Sequence, residues 1–211
     1  MTGSGRVPTF AEERALHARG YRHIAGVDEV GRGSLAGPVV AAAVILPRNM
    51  RASWLRLVRD SKQLSPAMRE FLFPHIVATA ISAGVGSASH RIVDARGIVK
   101  ATRLAMKWAI ARLAPAPEAL LIDYMRLPEV GLPQKGIIDG DASCFSIACA
   151  SIVAKVARDR LMVELSRTYP GYGFAHNKGY GTREHIACLC RLGPSPIHRR
   201  SFRLSWNAIE E

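Results

Sequence analysis

The fold is decided by residues 24–47, which read IAGVDEVGRGSLAGPVVAAAVILP. Apolar residues precede the adjacent acids Asp28 and Glu29, a Gly-Arg-Gly sequence follows at 31–33, and a long apolar run occupies 39–46. Runs of this length around a segment rich in Gly and Pro predict two strands joined by a turn. Carboxylate oxygens are the ligands that Mg²⁺ prefers, and glycines let backbone N–H groups approach an anion. The hairpin therefore suits a site for a divalent cation and a phosphate.

A simpler interpretation of the same stretch stays open, namely a turn that carries two solvated acids. Consecutive residues of a regular strand point to opposite faces of the sheet. Asp28 and Glu29 can therefore reach one metal ion only where the strand ends or twists, or where one ligand is a backbone carbonyl.

Length and charge bound the class of protein. The chain has 211 residues, which suffice for one α/β domain with a substantial core. It carries 29 Lys and Arg against 17 Asp and Glu, a net charge of +12, which favours nucleic acid as partner over an anionic membrane surface. No long uncharged apolar stretch and no signal-peptide pattern is present, so we expect a cytoplasmic protein without membrane spans. We also expect a monomer. None of the four cysteines shows Cys-x-x-Cys spacing, so we expect them to be ordinary reduced thiols.

Helices are predicted in three places before residue 115. A short one covers 10–19, and Ser65 followed by Pro66 is typical of an N-cap and a first helical position. Helical spacing predicts an amphipathic helix over 92–113, and alternating small and β-branched residues predict a buried strand over 78–89. The side chains that we expect to turn inward from the two longer helices are Met68, Phe71, Leu72, Met106 and Trp108.

Further acids end two short apolar runs. Residues 119–123 predict a strand that closes on Asp123, and residues 137–141 predict another that closes on Asp139 and Asp141. A helix is predicted over 142–168. Asp123 could equally cap a turn, and Asp141 could be the N-cap of that helix. The alternation of elements predicts an α/β fold with a mixed sheet flanked by helices.

Residues 155–205 are strongly basic, with ten Lys and Arg against three acids, and aromatic residues lie among them. Such a composition is typical of nucleic-acid contacts, although a solvated basic face with a few packed rings would look the same. The basic residues are Lys155, Arg158, Arg160, Arg167, Lys178, Arg183, Arg191, Arg199, Arg200 and Arg203, and the aromatic ones are Tyr169, Tyr172, Phe174 and Tyr180.

We expect four acids that lie far apart in the sequence to come together: Asp28, Glu29, Asp123 and Asp141. Without cations these carboxylates would repel one another, and bound Mg²⁺ or Mn²⁺ would remove that cost. A carboxylate cluster in a basic protein is expected of metal-dependent phosphodiester chemistry, because acids hold the ions while basic groups hold the polyanion. The loop Asp60-Ser61-Lys62 is either a solvated connector or a part of the phosphate site.

The sequence resembles the type 2 ribonuclease H family, the bacterial ribonucleases HII in particular. The resemblance runs from about residue 24 to residue 202, and the order and spacing of its motifs make it specific. The motifs lie at 26–33, 60–64, 121–123, 140–141, 150–160, 178–182 and 193–202.

The resemblance implies a ribonuclease H-like fold with a small helical C-terminal part. It implies endonucleolytic hydrolysis of RNA in RNA–DNA hybrids, and incision 5′ of single ribonucleotides in duplex DNA by two metal ions, which leaves 3′-hydroxyl and 5′-phosphate ends. By position, the metal-binding and catalytic carboxylates are Asp28, Glu29, Asp123 and Asp141. The substrate-binding residues are Gly31, Arg32, Gly33, Lys62 and Tyr180, with the glycine turn reading the 2′-hydroxyl and Tyr180 the RNA-to-DNA junction.

Three positions depart from the family pattern. Tyr124 stands where the family usually has Gly and could crowd the site, Asp139 is an extra acid that competes with Asp141, and His176 is separated from Lys178 by Asn177. We divide the chain into a lead-in (1–20), a catalytic domain (21–168) and a basic substrate-binding segment (169–211). The alternatives are another nuclease of the same fold, such as a junction resolvase or integrase core, and a basic RNA-binding module whose acids are only caps.

Overall fold

The hairpin of residues 24–47 forms the middle of the sheet in the computed structural model, which describes residues 7–202. Strand β1 (Ile24–Val30) pairs antiparallel with β2 (Val39–Ile45). Strand β3 (Ser82–Ala88) pairs antiparallel with β2, whereas β4 (Ala119–Asp123) and β5 (Gln134–Ile137) continue the sheet on the other side in parallel with β1. The order β3-β2-β1-β4-β5 confirms the predicted mixed sheet. Because β1 and β4 are parallel neighbours, the acids at their carboxyl ends meet at one edge.

Helices cover both faces of this sheet, as predicted. Within the described residues they are α1 (Ala11–Ala18), α2 (Pro66–Thr79), α3 (His90–Arg96), α4 (Ile98–Ala111), α5 (Gly140–Ser143), α6 (Phe145–Thr168), α7 (Phe174–Asn177) and α8 (Arg183–Leu192), with a 3₁₀ turn at Ser53–Leu57. None of the helices within 7–202 is long and apolar enough to cross a membrane.

The core has two layers because the side chains of β2 alternate between the two faces. Ala43 packs with Met106 of α4 on one face, and Val44 packs with Leu72 of α2 and Ile152 of α6 on the other. All five side chains are completely buried. Burying each of the larger ones contributes on the order of 1.5–3 kcal/mol relative to exposure.

The start of α6 rests directly on β1 because residue 26 has no side chain. A Cβ at Gly26 would lie 2.1 Å from the carbonyl carbon of Ser146, which is far inside van der Waals contact. This close approach carries α6 over the strand that ends in Asp28 and Glu29, so that residues one and two turns further along α6 face those acids.

Several predicted boundaries shift for identifiable reasons. Helix α2 continues to Thr79, so the strand predicted over 78–89 begins at Ser82. Gly97, with φ +77°, divides the helix predicted over 92–113 into α3 and α4. The acids at 139 and 141 lie after β5, in a loop and in α5, not in the strand predicted over 137–141.

The prediction of a buried core side chain is wrong at two positions. Phe71 is 48% exposed and Trp108 is 38% exposed, whereas Leu72 and Met106 are buried as predicted. Both misplaced residues lie on the outer faces of their helices, where Phe71 packs against the tilted ring of His75 at 4.7 Å between ring centroids. Helical periodicity alone does not show how wide the covered stripe of a helix is.

The N-terminal helix α1, as predicted over 10–19, is tied to α6 through one buried acid. Oε1 of Glu13 accepts hydrogen bonds from the backbone N–H of Ser146 (2.8 Å) and from Sγ of Cys144 (3.2 Å). A negative charge at a helix N-terminus is favourable, because the first N–H groups there lack partners. The lead-in therefore contributes to the position of α6.

The C-terminal part is helical, as the resemblance implied. Helices α7 and α8 pack on the end of α6 around Phe174, Met162 and Leu189, all buried. Of the four aromatic residues proposed as nucleic-acid contacts, Tyr172 and Phe174 are buried in this cluster, with ring centroids 5.4 Å apart. They are packed rings, and the interpretation of these two as substrate contacts is wrong.

Candidate active site

Three acids meet at the edge of the sheet where β1 and β4 end. Asp28 and Glu29 from β1 and Asp123 from β4 all line one open cleft of about 240 Å³. Asp28 is only 4% exposed, and its Oδ1 accepts a 2.7 Å hydrogen bond from the N–H of Glu29. Although they are consecutive, both side chains reach the cleft, because β1 ends here and the chain turns at Gly31, where φ is +87°.

The predicted substrate residues line the same cleft. Gly31, Arg32 and Gly33 enter from the turn after β1, Lys62 from the loop before α2, and Tyr180 from the loop after α7. Eight of the nine predicted site residues therefore share one cavity. The ninth, Asp141, is not part of the cavity lining, but it contacts Lys62, and Lys62 does line the cavity.

Burial and mutual repulsion raise the pKa values of these acids. Burial raises the pKa of Asp28 well above its usual value, and the charges of Glu29 and Asp123 add to the effect, while a hydrogen bond with Ser151 opposes it. The pKa of Asp123 is raised by burial and then by Asp141, against the opposing hydrogen bond that its Oδ1 accepts from the N–H of Gly140 at 2.8 Å. The cluster is thus a place where added positive charge is strongly favourable.

Glu29 has one satisfied oxygen and one unsatisfied oxygen. Oε1 lies 3.2 Å from Nη1 of Arg32, whereas Oε2 is buried without a hydrogen-bond partner. Burial raises the pKa of Glu29, and Arg32 only partly offsets this. A buried carboxylate oxygen without a partner costs about 1–3 kcal/mol, more for a charged group, and calls for a ligand in the cleft.

Asp141 and Asp139 occupy different environments. Asp141 is 5% exposed, and its Oδ2 accepts a 3.1 Å hydrogen bond from Nζ of Lys62. Asp139 is exposed, has φ +52°, and participates through its backbone carbonyl, which accepts from the N–H of Ala142. Helix α6 begins after Cys144, so the interpretation of Asp141 as its N-cap is wrong.

Two residues of the loop 60–62, Ser61 and Lys62, line the cleft, so the loop is not merely a solvated connector. Ser61 is buried, and its Oγ lies 2.8 Å from Oγ of Ser151 on α6. Ser151 and Lys155 line the cleft although sequence reasoning did not single them out as site residues. They are four positions apart on α6, the spacing of neighbours on one helix face, which is the signal that could have found them.

Among residues 7–202, no three His, Cys, Asp or Glu side chains already converge as ligands of a single ion. The acids instead accept hydrogen bonds from groups of the protein. Arg32 donates to Glu29, and Lys62 donates to Asp141. The backbone N–H of Gly140 donates to Asp123.

Comparison with known proteins identifies this arrangement. A family model described as Ribonuclease HII matches residues 25–209. A curated ribonuclease HII from Dehalococcoides mccartyi is 58% identical over 195 residues, which cover 92% of this chain and 92% of the relative. The chain belongs to the ribonuclease HII family. It is therefore a ribonuclease H enzyme, an endonuclease for RNA in RNA–DNA hybrids.

Solved structures of ribonuclease HII relatives share the fold. The ribonuclease H2 of Pyrococcus horikoshii is 26% identical with a TM-score of 0.70, covering 89% of this chain and 97% of that one. The ribonuclease HII of Archaeoglobus fulgidus, solved in complex with PCNA, is 28% identical with a TM-score of 0.71, covering 86% and 96%. The predicted ribonuclease H-like fold is thereby confirmed.

The basic segment of this chain does not serve as a whole for phosphate contacts. Arg158 is fully buried and Arg199 is 4% exposed, and both donate to backbone carbonyls inside the protein. Arg160 and Arg167 are exposed but pair with Glu70 and Glu164. The prediction that the arginines of this segment hold phosphates is wrong for Arg158 and Arg199, and Arg203 lies outside the described residues.

The departures from the family pattern leave the cleft open. Tyr124 adopts φ +59° and is 69% exposed, and it is not part of the cleft lining. Its left-handed backbone, unusual for an aromatic residue, accounts for the preference for Gly here. His176 lines a neighbouring groove of about 350 Å³, together with Lys178 and Lys155.

Proposed function

We propose that this enzyme is a metal-dependent endonuclease that incises duplex DNA on the 5′ side of single ribonucleotides, besides hydrolysing RNA in hybrids, and leaves 3′-hydroxyl and 5′-phosphate ends. One observation carries the proposal: the glycine turn 31–33 and Tyr180 line the same cleft as the acids Asp28, Glu29 and Asp123. The turn that would contact the 2′-hydroxyl of a ribose and the acids that would hold the metal ions are thereby available to one nucleotide.

The residues present fit Mg²⁺ or Mn²⁺. Asp28, Glu29, Asp123 and Asp141 would hold the ions, since their oxygens are hard ligands and Oε2 of Glu29 is buried without a partner. Burial raises the pKa values of Asp28, Glu29 and Asp123, and the charges of neighbouring acids raise them further, so a bound cation would be favourable here. When bound, such ions supply Lewis-acid stabilisation of the phosphate and a water of lowered pKa.

The chain's own groups position the substrate. Arg32 and Lys62 are the cations of the cleft nearest to the acids, and their contacts with Glu29 and Asp141 are exchanged for phosphate contacts when the polyanion binds. Lys155 lies on the Tyr180 side of the cleft, with its Nζ 5.8 Å from the ring centroid. Releasing counterions from the substrate makes binding steeply salt-dependent.

Selection for ribose rests on the 2′-hydroxyl, the group that distinguishes RNA from DNA at a given position. The glycine turn supplies backbone donors and acceptors close to the acids, and nothing lies within 4 Å of a Cβ built at Gly33. A sugar can therefore approach the backbone there. The half-buried ring of Tyr180 lies across the cleft and offers a surface for a deoxyribose that follows the ribonucleotide.

A cleavage assay with mapped ends tests the proposal. The substrate is duplex DNA with one internal ribonucleotide, incubated with and without Mg²⁺ or Mn²⁺, and the all-DNA duplex of the same sequence is the control. We expect a single cut 5′ of the ribonucleotide that depends on the metal, and no cut in the control. Cleavage of all-DNA duplex would indicate a nuclease of another specificity, and binding without cleavage would indicate a binding module.

We further propose that the active enzyme is a monomer. Sedimentation of the active protein with and without substrate tests this. The cytoplasmic location stays a prediction, which fractionation of the source cells would check.

A further inference from the structure

The segment 195–199 lies outside the cleft lining but holds both loops that face the substrate. Its last residue, Arg199, is 4% exposed and directs its guanidinium at the turn after β1. Nη2 donates to the carbonyl of Gly31 at 2.7 Å, and Nη1 donates to the carbonyl of Arg32 at 2.8 Å. Nε donates to the carbonyl of Gly37 at 3.0 Å, at the end of the same turn.

These hydrogen bonds determine which way two peptide groups face. In a trans peptide the C=O and N–H bonds point in opposite directions. Because the carbonyls of Gly31 and Arg32 point to the buried guanidinium, the N–H groups of Arg32 and Gly33 point away from it. Arg32 and Gly33 line the cleft, so these N–H groups are presented on the cleft side. Successive N–H groups facing one side form an anion-binding concavity.

The guanidinium reaches this position at a cost. Burial lowers the pKa of Arg199 to about 10, and the nearby charge of Arg158 adds to the shift. Within 7–202 no carboxylate lies within salt-bridge distance of Arg199. Its partners are the three backbone carbonyls and the ring of Phe202, whose centroid lies 5.0 Å from Cζ. A buried charge without a carboxylate partner is an expensive way to stabilise a fold. It is an effective way to orient those carbonyls.

The preceding residue, His198, holds the second loop through His185. Nε2 of His198 lies 3.1 Å from Nε2 of His185, and Nδ1 of His185 lies 2.8 Å from the carbonyl of Tyr180. A carbonyl can only accept, so Nδ1 of His185 carries the proton and Nε2 of His198 donates to His185. Nδ1 of His198 then accepts from the N–H of Ser195 at 2.8 Å, which satisfies the whole chain of hydrogen bonds.

The two loops are also joined directly. The N–H of Leu35 donates to the carbonyl of Gly179 at 2.7 Å, and the N–H of Arg199 donates to the carbonyl of Leu35 at 2.9 Å. The turn after β1, the loop of Tyr180 and the segment 195–199 are therefore one hydrogen-bonded unit, with Arg199 at its centre.

We propose that Arg199 is a positioning residue for ribonucleotide recognition: it presents the N–H groups of Arg32 and Gly33 to the phosphate and sugar of the ribonucleotide. The inference rests on the proposed function, since it concerns the same cleft. Arg199 itself does not touch the substrate.

The test measures discrimination in binding. In the Asp28→Asn background, which should bind without cutting, Kd is measured for duplex DNA with one ribonucleotide and for the all-DNA duplex. Arg199→Lys keeps the charge, but the compact ammonium lacks the planar fork whose three nitrogens reach the separate carbonyls of Gly31, Arg32 and Gly37. We expect the ratio of the two Kd values to fall about tenfold, the loss of roughly one charge-assisted hydrogen bond. Arg200→Lys, at the adjacent exposed position, should leave the ratio unchanged.

The outcomes separate this inference from the proposed function. If the parent protein does not discriminate between the duplexes, the proposed function fails. If the parent discriminates and the folded Arg199→Lys variant keeps the same ratio, or weakens equally on both duplexes, Arg199 is only structural and the inference is overturned.

A measurement on the unaltered enzyme decides the matter where Arg199→Lys does not fold. Amide hydrogen exchange should show the Arg32 and Gly33 amides exchanging rapidly in the free enzyme and protected by the ribonucleotide duplex, more than by all-DNA duplex. Amides already protected in the free enzyme, or equally protected by both duplexes, would overturn the inference.

Discussion

Nζ of Lys62 lies 3.1 Å from Oδ2 of Asp141, across 79 positions of the sequence. Burial alone would lower the pKa of Lys62, but the hydrogen bond and charge of Asp141 outweigh it, and the pKa is raised. The lysine side chain is 79% exposed, whereas that of Asp141 is 7% exposed. The cation can therefore move away while the carboxylate stays, which is what exchange for a divalent ion and a phosphate requires.

Asp28→Asn should abolish cleavage and leave affinity for the hybrid equal to or higher than that of the unaltered enzyme. The change removes a ligand and also removes negative charge that repels phosphate. Kinetics and Kd on the same hybrid check both parts. Retention of more than about a tenth of the rate would place the site elsewhere, since loss of a metal ligand should cost far more.

Alanine substitution at 139 and 141 distinguishes the two acids after β5. Asp141→Ala should lose cleavage, because its buried carboxylate lies beside Lys62 and the cluster. Asp139→Ala should keep most of the activity, since its side chain is exposed and its backbone makes the contacts; its φ of +52° predicts a small loss of stability on substitution. Activity with the reverse pattern would make Asp139 the ligand.

Tyr180→Ala should impair cleavage at a single embedded ribonucleotide more than it changes Mg²⁺ affinity. Loss of a stacking ring costs about 1–3 kcal/mol, which corresponds to roughly tenfold or more in rate. The measurement is kcat/KM on embedded-ribonucleotide and all-RNA hybrid substrates, with a metal titration beside it. Equal losses on both substrates would mean that Tyr180 makes a general contact and that another group reads the junction.

The buried histidine pair predicts a loss of stability in acid. Burial lowers the pKa of His198 to about 4, and His185, Arg200 and His90 add to the shift. An unfolded histidine titrates at about 6.5, so between these values the unfolded chain binds more protons than the folded chain. This contribution to stability is complete above about pH 6.5 and is lost as the pH falls, by about 2 kcal/mol at pH 5.

A substitution at His198 separates its effect on stability from that of the acids of the cleft. Their raised pKa values favour the folded state as the pH falls, which is opposite to the effect of His198. In urea unfolding, the stability gap between the unaltered enzyme and His198→Gln should shrink as the pH falls from 7 to 5. The same change at the exposed His176 serves as the control for the substitution itself. A constant gap for His198→Gln would contradict a depressed pKa.

Glu13→Ala should destabilise the fold by about 1–3 kcal/mol, because it leaves the buried N–H of Ser146 and the start of α6 without a carboxylate. Glu12→Ala is the matched control: its partner Lys135 is exposed, and such pairs contribute at most about 1 kcal/mol. Chemical denaturation of both variants checks the difference. Equal effects would mean that α1 does not help to hold α6.

Local sequence patterns were sufficient for the hairpin, for the acids at its end and for the start of α2. Ser65 caps that helix through the N–H of Met68, as its position before Pro66 predicted. The resemblance added the set of residues that meet in the cleft. In each case the information is local or is carried by the order of motifs, and a turn, a cap or a strand end forms from neighbours in the chain.

The resemblance favoured Asp141 over Asp139, but only the tertiary structure separated the buried arginines from the exposed ones. Arg199 and Arg200 are adjacent and chemically identical in the sequence, yet one is 4% exposed and holds the turn after β1, while the other faces solvent. A count of charges treats both as phosphate contacts. They differ because burial depends on which segments pack together. An arginine becomes internal only where backbone carbonyls from a distant segment satisfy its N–H groups. For Arg199 these are the carbonyls of Gly31, Arg32 and Gly37.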